Sequence, residues 1–409
     1  MEERYRVNPV KRALELRSSV VRGDNIMVVD FSDTLQGVDA GWILDLMPNV
    51  RTGEYVFRSK VNVKEIDPFA SGPRHPFVDI RNMSDSEIEN IVKKAESDFP
   101  IWPKYSKGFE MKRVMDYNPP FTLQLAACNS HDGTRTGGCW YCYNDSQSND
   151  GIFGKGKTWL NLEDTLVSAL AARDMLAGKY KEKGFDVRIR QARLSGGEFT
   201  MALDWAKALG ELSEKMGLDF FFSFDTNLTT GPAIDILEKQ GSYPKNILHW
   251  FAEHDWKALG AIKGVCEENL QANVQAAATM EGMYYSIEKL LKAEVDVNFQ
   301  IYNAFVPKVR SFMEDLDNRF PGILLKTHVG KLKTVFGPTK ERLAYKAEGL
   351  GRKPEEFIPE TQEEYDYSLH GTEDVLNDLC HERHGKNYRE VPRPNVKVKI
   401  AKTQSTNYL

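Results

Sequence analysis

The feature that most restricts the fold of this 409-residue chain is an alternation of short apolar runs with longer amphipathic ones between residues 118 and 335. Six runs have the length and composition of strands: FTLQLAAC (121–128), VRIRQARLS (187–195), LDFFFSFDT (218–226), NILHWFAE (246–253), VDVNFQIYNAFV (295–306) and ILLKTHVGKL (323–332). Between them, helical patterns cover 162–183, 202–217, 232–240, 268–293 and 311–320. A chain that returns through a helix to the same sheet builds parallel strands, which makes the fold class α/β. An open doubly wound sheet and a barrel both satisfy this pattern. In either one, side chains that act on a ligand belong at the C-terminal ends of the strands.

The flanks differ from this core. Residues 1–117 are broken by the proline-bearing stretches DPFASGPRHP (67–76) and FPIWPKY (99–105), and hold one capped helical segment, SDSEIENIVKKAESD (84–98). They read as an α+β covering extension. Residues 336–409 divide by charge. Nine acids and no Lys or Arg lie between Pro354 and Cys380, whereas seven Lys or Arg and two acids follow from His381 onward. The basic tail is expected to lie on the acidic stretch and over the mouth of the core, with alternating Val396, Val398 and Ile400 as its anchor; a nucleic-acid arm is the alternative.

Composition closes off several classes. With 28% charged and 41% apolar residues and a net charge of −5, the chain is neither disordered nor collagen-like. A mean hydropathy of −0.48 and the lack of an apolar run near twenty residues argue against a membrane span. The charged start, MEERYRVNPVKRALEL, argues against export, and five cysteines in so long a chain fit a reducing cytoplasm better than a disulfide framework.

Three of those cysteines fall within fifteen residues. Cys128 ends the first apolar run, and Cys139-Trp140-Tyr141-Cys142 follows on the next loop. Soft thiolates select zinc, copper(I) or iron–sulfur clusters. Two arrangements suit three of them: a closed zinc site with His131 as fourth ligand, or a 4Fe-4S cluster with one iron left open. A second constellation lies at the end of the next strand, where Leu194-Ser195 run into Gly196-Gly197-Glu198. Paired glycines let backbone approach a ligand, and the acid can hold an amino group.

Together these motifs resemble the radical S-adenosylmethionine (SAM) family, over residues 118–335. The resemblance implies a partial (β/α)6 barrel with N- and C-terminal extensions, and a 4Fe-4S cluster on Cys128, Cys139 and Cys142. It also implies SAM bound by Tyr141 near the adenine and by Gly196, Gly197 and Glu198 at the methionine amino group. Thr226 and Asn227 after the third strand, His254 and Asp255 at the end of the fourth, and Asn298 complete the implied cofactor contacts. In such an enzyme the cluster, charged by an electron donor such as a flavodoxin or ferredoxin, cleaves SAM to a 5′-deoxyadenosyl radical that takes a hydrogen atom from the substrate. This sequence departs from the family pattern in two places: ten residues separate Cys128 from Cys139, where three are usual, and Phe199 replaces a common proline. The substrate stays open among a small molecule, a peptide and an RNA base.

A rival motif is also present. Residues 151–158 match GxxxxGK[ST] through Gly156, Lys157 and Thr158. A phosphate loop needs a strand before it and a helix N-terminus after it, and the preceding YNDSQSND is no buried strand. Lys157 is therefore expected to have no phosphate role.

Overall fold

The computed structural model describes residues 6–38, 45–59, 121–134, 136–182, 190–385, 388 and 396–401. The helical segment 84–98 and both proline-bearing stretches lie outside the described residues.

The first elements are α1 (Pro9–Val20), β1 (Val21–Arg22), β2 (Asn25–Val29), α2 (Leu35–Val38), β3 (Asp45–Pro48) and β4 (Tyr55–Ser59). The chain continues through β5 (Phe121–Gln124), β6 (Lys157–Asn161), α3 (Leu162–Glu182), β7 (Gln191–Ser195), α4 (Leu203–Lys215), β8 (Phe221–Thr226), α5 (Gly231–Lys239) and α6 (Ile247–Glu253). The last third holds β9 (Lys257–Ile262), α7 (Glu267–Asn273), α8 (Met280–Lys292), β10 (Asp296–Ile301), α9 (Val306–Arg319), α10 (Ile323–Lys326), β11 (Thr327–Val329), α11 (Gly337–Gly349) and α12 (Pro354–His384).

Eight strands form one sheet in the order β11-β10-β9-β8-β7-β5-β4-β3. From β5 to β11 every pairing is parallel, whereas β4 and β3 add antiparallel to the β5 side. The fold is thus mixed α/β with a large parallel sheet, and the N-terminal extension supplies part of that sheet. A second sheet, β1-β2-β6, packs beside it. No helix among the described residues is long and apolar enough to cross a membrane.

The fourth strand is a correction. NILHWFAE is the helix α6, and the fourth parallel strand is β9, KALGAI. An eight-residue apolar run is compatible with either state, and here Ile247, Leu248 and Phe251 bury one helical face, with Phe251 against Phe224 at 5.5 Å. Glycine hides β9 from a propensity reading. A Cβ at Gly260 would press on Phe299 and Leu228 at 3.0–3.2 Å, so packing chooses the glycine. Similarly, 323–332 splits into α10 and the three-residue β11, and 268–293 breaks into α7 and α8.

Register sorts the large sheet into two unlike faces, because alternate residues point to opposite sides. One face carries Phe57, Leu123, Leu194, Phe224 and Val297, all buried against the helices. Fully burying each such side chain contributes about 1.5–3 kcal/mol. The other face carries Arg58, Thr122, Gln124, Arg193, Ser195, Ser223, Asp225, Asn298 and Gln300. At its N-terminal end it is closed by ion pairs of Asp296 with Lys257 (2.9 Å) and Lys326 (2.6 Å).

The described part of the tail, residues 396–401, is a second correction. Val398 and Ile400 do alternate toward the core, as their spacing suggests. However, the segment hydrogen-bonds alongside the end of α9, Lys399 N to Pro321 O and Ala401 N to Arg319 O, both 3.0 Å. That is the end of the sheet where β11 begins, opposite its C-terminal mouth. The acids of α12 find other cations: Glu360 pairs with Arg352 and Glu382 with Arg310, at 2.6 and 2.7 Å.

Candidate active site at a cysteine-bearing strand end

Beyond β5 the chain stays extended to Cys128, held from both sides. Leu125 N donates to Ser195 O (3.2 Å), Ala126 N to Met27 O (3.1 Å), and Glu198 N to Ala127 O (2.8 Å). The paired glycines explain how the ends of β5 and β7 come so close. Gly196 and Gly197 have φ of +69° and +61°, and a Cβ on Gly197 would lie 2.0 Å from the Ala127 carbonyl oxygen. They lock the segment that presents Cys128.

Glu198 is fully buried, and both its oxygens are engaged. Oε1 accepts from Thr200, and Oε2 accepts the Asn227 N–H at 2.6 Å. Burial raises its pKa and these hydrogen bonds oppose the rise. Asn227 in turn donates to Asn129 Oδ1 (2.7 Å) and lies 3.8 Å from Cys128 Sγ. Thr226 Oγ1 accepts from Leu228 N (3.1 Å), and Leu228 sits at φ +59°, where a glycine would be free of strain.

The ten residues between Cys128 and Cys139 are folded in on themselves. His131 is buried, its Nε2 2.9 Å from Ser146 Oγ, while its Nδ1 accepts from Gly133 N at 3.0 Å. Burial drives its pKa down to about 4, so it is neutral. With both ring nitrogens engaged, it is not poised as a fourth zinc ligand. Cys139 is fixed by a bridge to Val274, and Cys142 by its N–H to Cys139 O (3.0 Å) and its carbonyl to Arg342 Nη1 (2.8 Å).

Cys139 is buried, and Cys128 and Cys142 keep part of their surface open. Lys263, the residue after β9, puts its Nζ 3.1 Å from Cys139 Sγ and 5.7 Å from the Tyr141 ring centre. Burial pushes the Cys128 thiol up to about 12, and Lys263 works against that rise. Burial alone would lower Lys263, but Cys139, Tyr141 and the other two thiols raise it. Three thiols and one cation thus sense each other at one strand end. Among the described residues no three His, Cys, Asp or Glu side chains are gathered closely enough to grip a metal as they stand. In donor chemistry, three soft thiols with a compensating cation fit an iron–sulfur cluster, and the carboxylate that acts on Cys128, Glu198, is itself engaged by Thr200 and Asn227.

Tyr141 stacks on Tyr302 (5.7 Å, 20°), and its hydroxyl is buried without a hydrogen-bond partner. Asn298, also buried, has an unpartnered Oδ1. His254 and Asp255 fall elsewhere. Because α6 precedes β9, they lie where β9 begins, and His254 stacks on Trp250 at 4.0 Å, 3.7 Å from Glu214. Their expected place at a strand's C-terminal end is corrected accordingly; Lys263 holds that position. Lys157 and Thr158 belong to β6, and Lys157 pairs with Asp150. Gly156 is followed by a strand, so no helix N-terminus faces it.

Lys263 escaped the motif search because a single lysine after a strand has no pattern. Arg193 and Asp225, a half-buried ion pair at 2.7–2.8 Å, did carry a signal: charged residues within otherwise apolar runs.

No family model and no curated protein matches this chain. Among solved structures, native anSMEcpe with bound AdoMet is similar at 16% identity and a TM-score of 0.34, over 65% of this chain and 66% of that one. The same enzyme with AdoMet and a Kp18Cys peptide gives 15% and 0.33. The apo form of OxsB, a cobalamin-dependent S-adenosylmethionine radical enzyme, gives 11% and 0.31, over 68% of this chain and 38% of that one. The match thus spans just under two thirds of anSMEcpe's own length.

Proposed function

We propose that this chain is a radical SAM enzyme, its large sheet the partial (β/α)6 core, with Cys128, Cys139 and Cys142 as ligands of a 4Fe-4S cluster. One observation carries the reading: a thiol-bearing segment and a pair of glycines meet at the ends of neighbouring parallel strands, with Gly197 against the carbonyl one residue before Cys128. When bound, the reduced cluster supplies the electron that cleaves SAM to a 5′-deoxyadenosyl radical, which takes a hydrogen atom from the substrate.

The chain's own residues have separate tasks in this proposal. Lys263 offsets the charge of the thiolates. Tyr141 offers a ring face to the adenine, braced by Tyr302. Gly196 and Gly197 leave backbone open to the methionine amino group, and Glu198 supports them by tying β7 to Asn227. Thr226, Asn227 and Asn298 supply the remaining polar contacts. Tyr365 of α12, packed with Cys139 and Tyr141, keeps water from the thiols. A flavodoxin or ferredoxin is the proposed electron donor.

The test is anaerobic purification followed by iron, sulfide and zinc assay. Roughly four irons per chain, lost on replacing Cys128, Cys139 or Cys142 by Ala, with 5′-deoxyadenosine formed from SAM and dithionite, is the expected result. Colourless protein with one zinc would reverse it.

A further inference from the structure

The polar face of the large sheet holds buried hydrogen-bonding groups that have no partner among the described residues. Arg58 on β4 has no exposed surface. Its Nη2 donates to the Tyr143 hydroxyl, with the guanidinium 4.8 Å from that ring's centre, but Nε and Nη1 have no partner. Those two nitrogens carry three of the five guanidinium N–H donors. Among the described residues no carboxylate pairs with it. Gln124 on the adjoining β5 is equally buried, and neither its oxygen nor its nitrogen has a partner. The other arginine of this face, Arg193, is matched to Asp225 at both carboxylate oxygens.

A dehydrated guanidinium without a counter-ion is costly; Arg193 has a carboxylate, and the equally buried Arg342 has three backbone carbonyls, whereas Arg58 has one phenol hydroxyl. We infer that the counter-ion of Arg58 comes with the substrate: a small molecule carrying an oxyanion, either carboxylate or phosphate, with Gln124 hydrogen-bonding beside it. Direction follows from register. Arg58 lies opposite Thr122, and Gln124 is one pleat nearer Cys128 on the same face, so a molecule anchored at Arg58 extends toward the cysteines. Tyr143, which touches Arg58, directly follows Cys142, joining the anion site to the cysteine turn. Full burial favours a small molecule, because a polymer could not reach this guanidinium without the face opening.

The inference names the substrate class of the reaction site proposed above and rests on that reading, but its test does not need the cluster. Full-length protein, purified anaerobically, is titrated by calorimetry with succinate and separately with inorganic phosphate, while iron and 5′-deoxyadenosine formation are measured on the same preparation. One anion should bind, and which one does distinguishes carboxylate from phosphate. Arg58→Met should weaken that binding about tenfold or more. Should Arg58→Met fail to fold, Arg58→Lys, which keeps the charge and loses the planar fork, should weaken it about threefold. Wild-type protein that binds neither anion, or variants that bind as wild type does, overturns the inference. Anion binding lost with Arg58 in protein that takes up no iron keeps the oxyanion site and sinks the radical reading instead.

Discussion

The two faces of the large sheet are made by the same strands and both hold fully buried side chains, yet among the described residues only one is complete. On the outer face Phe224 meets Phe251, and Phe57 meets Phe121 at 5.4 Å, so each apolar surface has an apolar neighbour. On the inner face Gln124, no more exposed than Phe224, finds no partner for either end of its amide. Dispersion and hydrophobic burial are undirected and satisfied by any close packing, whereas a buried amide or guanidinium needs a partner at a given distance and angle. The outer face therefore holds the fold together, whereas the inner face keeps buried polar groups that have no partner among the described residues.

The comparison can be broken most sharply at Phe224. Phe224→Ala should cost about 3–5 kcal/mol, read as a fall in the denaturant midpoint at constant slope; a cost near zero would mean that the outer face is not the stabilising one. Acid should act next, at the rim of the inner face. The folded pKa of His131, about 4, lies below the ordinary 6.5 of an unfolded histidine, so the unfolded chain binds the extra proton first. Stability is then full above pH 6.5 and falls by up to about 3 kcal/mol as the pH drops to 4. His131→Gln should flatten that dependence, and an unchanged acid slope would refute the assignment. The smallest effect belongs to the inner face itself. Gln124→Met should change stability by no more than about 1 kcal/mol, in either direction, because no hydrogen bond is lost and a buried polar group is removed. A loss comparable to that of Phe224→Ala would erase the difference between the faces.

Much of this arrangement was legible in the residues. The parallel sheet followed from alternation, and the cysteines and the Gly-Gly-Glu were visible as motifs. The unlike faces were also written there, in FTLQ, RLS, FSFDT and VNFQ, where polar residues interrupt strands that a buried parallel sheet would otherwise fill with apolar ones. Two things were not legible. The helix Ile247–Glu253 reads as a strand and the strand Lys257–Ile262 goes unread, because a short apolar run fits both periods and Gly260 answers to Phe299, not to local propensity. Arg58 and Lys263 carry no local pattern at all; each matters only through what sheet pairing sets beside it.

The pairing of β2 with β6 has a consequence in time. Asn25–Val29 is synthesised about 130 residues before its partner, Lys157–Asn161, a gap on the order of 10 s of translation. Met27 of that same strand also holds Ala126, two residues before Cys128. For that interval the apolar NIMVV segment has only the two-residue β1 to pair with, and the strand that holds the cysteine segment is itself half-paired. The supports of the cysteine segment, from Met27, Ser195 and Glu198, are complete only after Glu198 has been made, and anything delivered to the cysteines earlier meets an unfinished site.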